Sequence, residues 1–264
     1  QAAGYFAGIS GYQSGSGSLT IKADNATANS GNGVNAENTT GGGIEISVIN
    51  ASGQNNGIFA RNSYREDGPD HGGGFDLNFL TTPSEAAPNS ITISASGEVT
   101  SSDGYGIYAR NQTYGDVTID ATNEAGDASV YGQYAGIYAQ NTGPGSVVVS
   151  TNDVSAYNGA AIRVRNGYRN YVSIGSAFTI SSANSEPQFN GIPISLGEVT
   201  VTATGNTTSE YGGGIDVTNY APGDVTIDAT NETGTAEVRS DDTGIRAANY
   251  AGGDVYVSAN NVYA

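Results

Sequence analysis

The chain has 264 residues, with 26 acidic and 9 basic side chains, 39 glycines and no Cys, Met or Trp. A net charge of −17 disfavours nucleic acid, whose affinity comes largely from Lys and Arg on phosphates, and equally disfavours an anionic membrane surface. No apolar run approaches the roughly 20 residues of a spanning helix, and the absence of cysteine suits a chain that crosses a membrane unfolded.

Glycine followed by an apolar residue opens a phrase that recurs along the chain, most fully as Gly106-Ile107-Tyr108-Ala109-Arg110-Asn111. Its apolar residue, the anchor, stands at Ile9, Val34, Ile58, Ile107, Ile137, Ile162, Ile192, Ile215 and Ile245. Self-similarity at roughly 20–50 residues over a whole chain marks a stacked solenoid. A period-two run begins ten residues after most anchors, at Leu19, Ile44, Val117, Val147, Val172, Val225 and Val255. Such alternation belongs to a strand with one buried face. Four residues after the anchor stands Asn38, Asn62, Asn111, Asn141, Asn166, Asn219 or Asn249, a column of corner residues predicted to stack as a hydrogen-bonded ladder. Gly17, Gly42, Gly115, Gly145, Gly223 and Gly253, eight after an anchor, mark a turn that needs positive φ.

In chain order, Gln1 to Ala7 reads as the tail of a coil, and two regular coils follow to residue 57. Their inward candidates are Ile9, Leu19, Ile21, Ala23, Val34, Ala36, Ile44, Ile46 and Val48. The coil of Ile58 finds its next strand at Ile91-Thr92-Ile93, which implies a loop insertion at 64–86. The alternative gives that strand to Phe75-Asp76-Leu77-Asn78-Phe79. Regular coils resume from Gly106, and residues 176–200 form an irregular coil without the corner asparagine. Regularity returns at Gly214 and runs to Ala264, directly after a strand and with no polar cap, which predicts that the rod is a segment of a longer chain. Residues 106–156 and 214–264 align without a gap with 27 identities in 51 positions, so a block of coils has been duplicated.

Most coils also offer a weaker third strand, such as Ala128-Ser129-Val130. The predicted fold is therefore all-β: a right-handed parallel β-helix, a three-sided solenoid of about nine coils of 23–30 residues, with 1–264 as one rod. The phrase Gly-Ile-x-Ala-x-Asn followed by Gly-Asp-Val-Thr-Ile resembles the repetitive passenger regions of Gram-negative autotransporters. That resemblance implies display at the bacterial cell surface, in the extracellular space, as the passenger of an outer-membrane β-barrel.

With the inside committed to packing, outward positions are where ligands can be met. One place after the anchor, Phe59, Tyr108 and Tyr138 follow one another, with Arg163 next in the column. Three places after it stand Arg61, Arg110, Gln140 and Arg165. Aromatic faces beside guanidinium groups suit a glycan ring or an anionic polymer; aromatics stacked across parallel strands also stabilise a sheet with no ligand at all. Tyr220 and Tyr250 follow the corner asparagines of neighbouring coils and read as corner packing. Asp67, Asp70 and His71 in the insertion are one candidate metal set, and Asp224, Asp228 and Asp254, whose stacked carboxylates Ca²⁺ would relieve, are another.

These features predict a non-enzymatic stalk or adhesin, or a component of an extracellular filament or surface layer. Its partners would be a glycan, a host or neighbour-cell surface, or further copies of itself, and it would bind no nucleic acid. The rival is a polysaccharide-degrading β-helix enzyme, a lyase or glycosidase. Such an enzyme needs a carboxylate pair, or Ca²⁺ with a basic residue, in a cleft. No carboxylate cluster keeps register across the coils, so no catalytic residue is assigned.

Overall fold

The computed structural model describes residues 2–4, 6–15, 17–39, 42–63, 89–113, 115–143, 145–167, 188–189, 192–193 and 197–264. The fold is all-β and its long ladders are parallel. The large sheet turns through ~313° round an axis and leaves a seam, an architecture of the solenoid or β-helix kind.

Alternation of apolar and polar residues dictates three ladders. The first carries the anchors: Ile9, Val34, Ile58, Ile107, Ile137, Ile162, Ile215 and Ile245 pair one above the next. The second stacks Leu19, Ile44, Ile91, Val117, Val147, Val199, Val225 and Val255 in the same manner. The third begins at Ala2–Gly4 on Ala26–Ala28 and, further along, runs from Ser129–Gly132 through Asp153–Ala156 and Asn206–Ser209 to Asn261–Tyr263.

Second and third ladders belong to one sheet because two strands span both. Leu19–Ala28 and Ile44–Gly53 each run ten residues without a break. In the latter the buried–exposed alternation slips by one residue, Ile49 and Asn50 both pointing away from the core, and the strand bends there. Later coils replace that bend with a turn, such as the one between Val117–Ala121 and Ser129–Gly132.

Ile, Val and Ala fill the interior. Ile44, Ile46, Ile58, Ile91, Ile93, Ile107, Ile119, Ile137, Ile162, Ile215 and Ile227 are fully buried, each contributing about 1.5–3 kcal/mol of transfer free energy. Of the expected inward residues, Ile9, Leu19 and Ala23 are only partly covered, since they lie in the first coil.

Two expectations need correction. Ile192 is not an anchor: Ile162 pairs directly with Ile215, and Ile192–Pro193 instead makes a short antiparallel pair with Gln188–Phe189. The second-ladder strand above Val147 starts at Val199, so the coil of Ile162 carries an insertion between Gly167 and Gly197, and the anchor ladder among the described residues has eight strands. Val172, the expected start of that strand, lies outside the described residues, as do the 64–86 insertion and most of 176–200. In the coil of Ile58, Ile91 takes the second-ladder place, paired with Ile44 below and Val117 above.

Candidate functional site

Counted from the anchor, the first, third and fifth residues of these strands face inward and the second and fourth turn outward, Thr218 nonetheless being covered. In Tyr105–Asn111 this buries Ile107, Ala109 and Asn111 and turns out Tyr108 and Arg110. Register stacks the outward residues into two columns. One reads Asn35, Phe59, Tyr108, Tyr138, Arg163, Asp216, Arg246; the other reads Glu37, Arg61, Arg110, Gln140, Arg165, Thr218, Ala248.

Rung spacing forces the rings together. Phe59 and Tyr108 lie 5.1 Å apart and 3° from parallel, and Tyr108 and Tyr138 lie 5.2 Å and 5° apart. Both faces of Tyr108 are therefore taken by its neighbours. The two faces of Tyr108, expected to be open to a sugar ring, are closed by the stack itself, and that residue offers its ring edge instead. Tyr105 tilts against Tyr108 and Tyr138 at 5.3 and 5.5 Å, and Tyr134 joins Tyr105 at 6.2 Å. Neither tyrosine stood out in the sequence, because both precede the anchor, at places where the neighbouring coils carry no aromatic residue. Burial holds the Tyr138 phenol above its usual range, against the opposing pull of Arg165 and Arg110. Its Oη donates to Gln140 Oε1 at 3.2 Å.

The stack has a measurable worth. Tyr108→Ala is expected to cost about 2–3 kcal/mol, from lost burial and two ring pairs. Tyr108→Phe should stay within about 0.5 kcal/mol of the parent, a change of the size typical of surface substitutions. Urea unfolding compares the two; equal losses would mean that the hydroxyl, and not the ring, matters.

Guanidinium groups divide into two kinds. Arg61 donates to Glu37 at 2.6 Å. Arg163 lies 3.6 Å from Asp216, which also takes Arg246 at 2.9 Å; that hydrogen bond and charge hold Arg246 above its usual range. Arg110 and Arg165 face no carboxylate among the described residues, and Arg110 Nε is shut off from water without a hydrogen-bond partner there.

The corner asparagines are buried, save the half-covered Asn249, but they do not bond to one another. Each amide reaches a carbonyl in a glycine turn. Asn38 and Asn62 share Gly42 O, Asn111 and Asn141 share Gly115 O, Asn166 and Asn219 share Gly197 O, and Asn249 reaches Gly223 O. The ladder thus alternates side chain and backbone, and each glycine carbonyl is gripped from two coils. Tyr220 and Tyr250 stack just past it, 5.1 Å and 11° apart.

The aspartates have local partners. Asp224 Oδ1 accepts the backbone N–H of Asp254 at 2.8 Å, Asp254 accepts the Tyr256 hydroxyl at 2.9 Å, and Asp228 accepts that of Thr230 at 2.6 Å. Among the described residues no three His, Cys, Asp or Glu side chains gather as a metal site would require. Asp67, Asp70 and His71 lie outside those residues. No family model, curated protein or solved structure matches the chain.

Proposed function

We propose that this chain is a non-enzymatic, surface-displayed rod with a structural or adhesive role, wound as a right-handed, three-sided parallel β-helix. Its repeated phrase resembles the passenger regions of Gram-negative autotransporters, and the cell surface and extracellular space are where such a rod would work. The observation that carries this reading is the division of labour within each anchor strand. Inward positions are spent on packing and corner bonds, and outward ones stack in register from coil to coil, aromatic at Phe59, Tyr108 and Tyr138 and basic at Arg61, Arg110, Arg163 and Arg165. A repeated weak contact on a rigid support gains strength from multiplicity rather than from one deep site.

The test uses fluorescent beads coated with the whole chain, applied to bacterial and host cells, alongside an assay for product released from acidic polysaccharides. Attachment above that of bare beads, with no product, is the expected result. Product release without attachment would transfer the proposal to a lyase or glycosidase.

A further inference from the structure

We infer that Arg110, Gln140 and Arg165 form a strip of hydrogen-bond donors that takes an acidic polysaccharide laid along the axis. The inference rests on the adhesive reading of this face and names its ligand class.

The three residues occupy one column on successive rungs. Rungs are ~4.8 Å apart, which places Arg110 and Arg165 ~10 Å from each other at the backbone. Gln140 Oε1 already accepts the Tyr138 hydroxyl, which orients the side chain and leaves both amide N–H groups to donate. The strip then presents donors from all three side chains, and a guanidinium matches the two oxygens of a carboxylate or sulfate in a fixed fork.

Charge singles out the same place. Lys22, Arg61, Arg163, Arg239 and Arg246 each have a carboxylate within ion-pair distance. Arg110 and Arg165 do not, among the described residues, on a chain of net charge −17. Beside them Arg163 and Arg246 share the single carboxylate of Asp216. Within these two columns, then, five guanidiniums meet two carboxylates, Glu37 and Asp216, and the surplus is positive.

The stacked rings decide between polyanions. Single-stranded nucleic acid binds by laying bases on open aromatic faces along a positive groove. Here Tyr108 is covered on both sides, so a base finds no open face on it. A glycan bearing oxyanions along its chain needs no ring face.

The experiment immobilises the whole chain and measures binding of polygalacturonate, dextran sulfate, neutral dextran and oligothymidylate at low and raised ionic strength. One or both acidic polysaccharides should bind and neutral dextran should not, with affinity falling as salt rises; the two acidic probes separate carboxylate from sulfate. Arg110→Gln with Arg165→Gln should weaken binding about tenfold or more, since each change removes charge-assisted hydrogen bonds to the oxyanion. Arg110→Lys with Arg165→Lys, which keeps the charge and loses the fork, should fall between. It also serves if the Gln pair unfolds. Indifference of the parent chain to both acidic polymers, equal binding by the Gln variant, or preference for oligothymidylate would overturn the inference. The bead assay separates this from the adhesive reading. Beads that attach equally well with the Gln pair leave adhesion standing and remove the strip. Polymer binding without bead attachment does the reverse.

Discussion

Asn141→Asp is expected to be among the most damaging single-atom changes in this protein. Asn141 is fully buried, donates through Nδ2 to Gly115 O at 3.0 Å and accepts the Gly143 N–H at 3.2 Å. A carboxylate there sets an acceptor against the Gly115 carbonyl and leaves a charge without water, at a cost of about 3 kcal/mol or more at neutral pH. Burial raises the pKa of the new carboxyl in the folded state above its unfolded value of about 4. The penalty is therefore absent below that unfolded value and grows as pH rises towards the folded one. Once protonated, the acid regains a donor for Gly115. Urea midpoints for parent and variant should lie close together near pH 4 and far apart near pH 7. A gap that stays constant with pH would contradict this account. Asn141→Ala, which leaves Gly115 O its bond from Asn111, should cost about 2 kcal/mol at either pH.

Gly106→Val is the second large effect. A Cβ at this position would lie 2.5 Å from Val130 Cγ1, 2.7 Å from Gly136 O and 2.8 Å from Tyr131 O. Two of those three atoms are backbone of strands that cannot retreat without losing ladder bonds. Gly33 and Gly136 meet the same crowding, which is why the repeated phrase opens on glycine: the third ladder closes against the first at this corner. The expected cost is about 3 kcal/mol or more. Because each coil touches only its neighbours, the damage should split unfolding into two steps, with the coils around Gly106 melting first. Gly126 is the control, since it has no atom within 4 Å of a built Cβ and a φ of 75°. Gly126→Ala should cost only the left-handed penalty of about 1–2 kcal/mol. Thermal melts of both variants test the contrast, and a single unshifted transition for Gly106→Val would refute it.

The register of this fold was legible because its causes are local. An apolar anchor, an asparagine four residues on and a glycine eight on each answer a requirement of one corner, and all three coincide in five of the eight rungs, those of Val34, Ile107, Ile137, Ile215 and Ile245. Ile192 misled because Gly191-Ile192-Pro193-Ile194 copies the anchor alone, with Leu196 where the asparagine belongs. The correcting signal was present two residues before a strand. Gly197-Glu198-Val199 repeats the spacing of Gly115-Asp116-Val117, and Gly197 O indeed receives Asn166 and Asn219. Alternation around Val172 could not outweigh that, since period two identifies a strand and not its place in a stack.

The candidate site was legible as columns and not as contacts. Which residues face outward follows from parity, so Phe59, Tyr108 and Tyr138 had to align. That their faces would close on one another follows from a rung spacing near the distance at which rings stack, which sequence patterns do not express. The sorting of arginines into paired and unpaired depended on carboxylates one coil away, Glu37 below Arg61 and Asp216 above Arg163. The partner of Asp224 was hidden for a related reason: a backbone N–H leaves no trace in composition.

The duplicated block has a consequence for how such molecules change over generations. Its earlier copy rests on the coil of Ile58 and its later copy on the coil of Ile162, so near-identical segments are seated on different floors. Recombination between like stretches of coding sequence can then add or delete whole storeys without any new fit having to be found. Height becomes a heritable measure, adjusted in increments of ~4.8 Å, and selection can tune how far a molecule of this design extends without altering what any one level is made of.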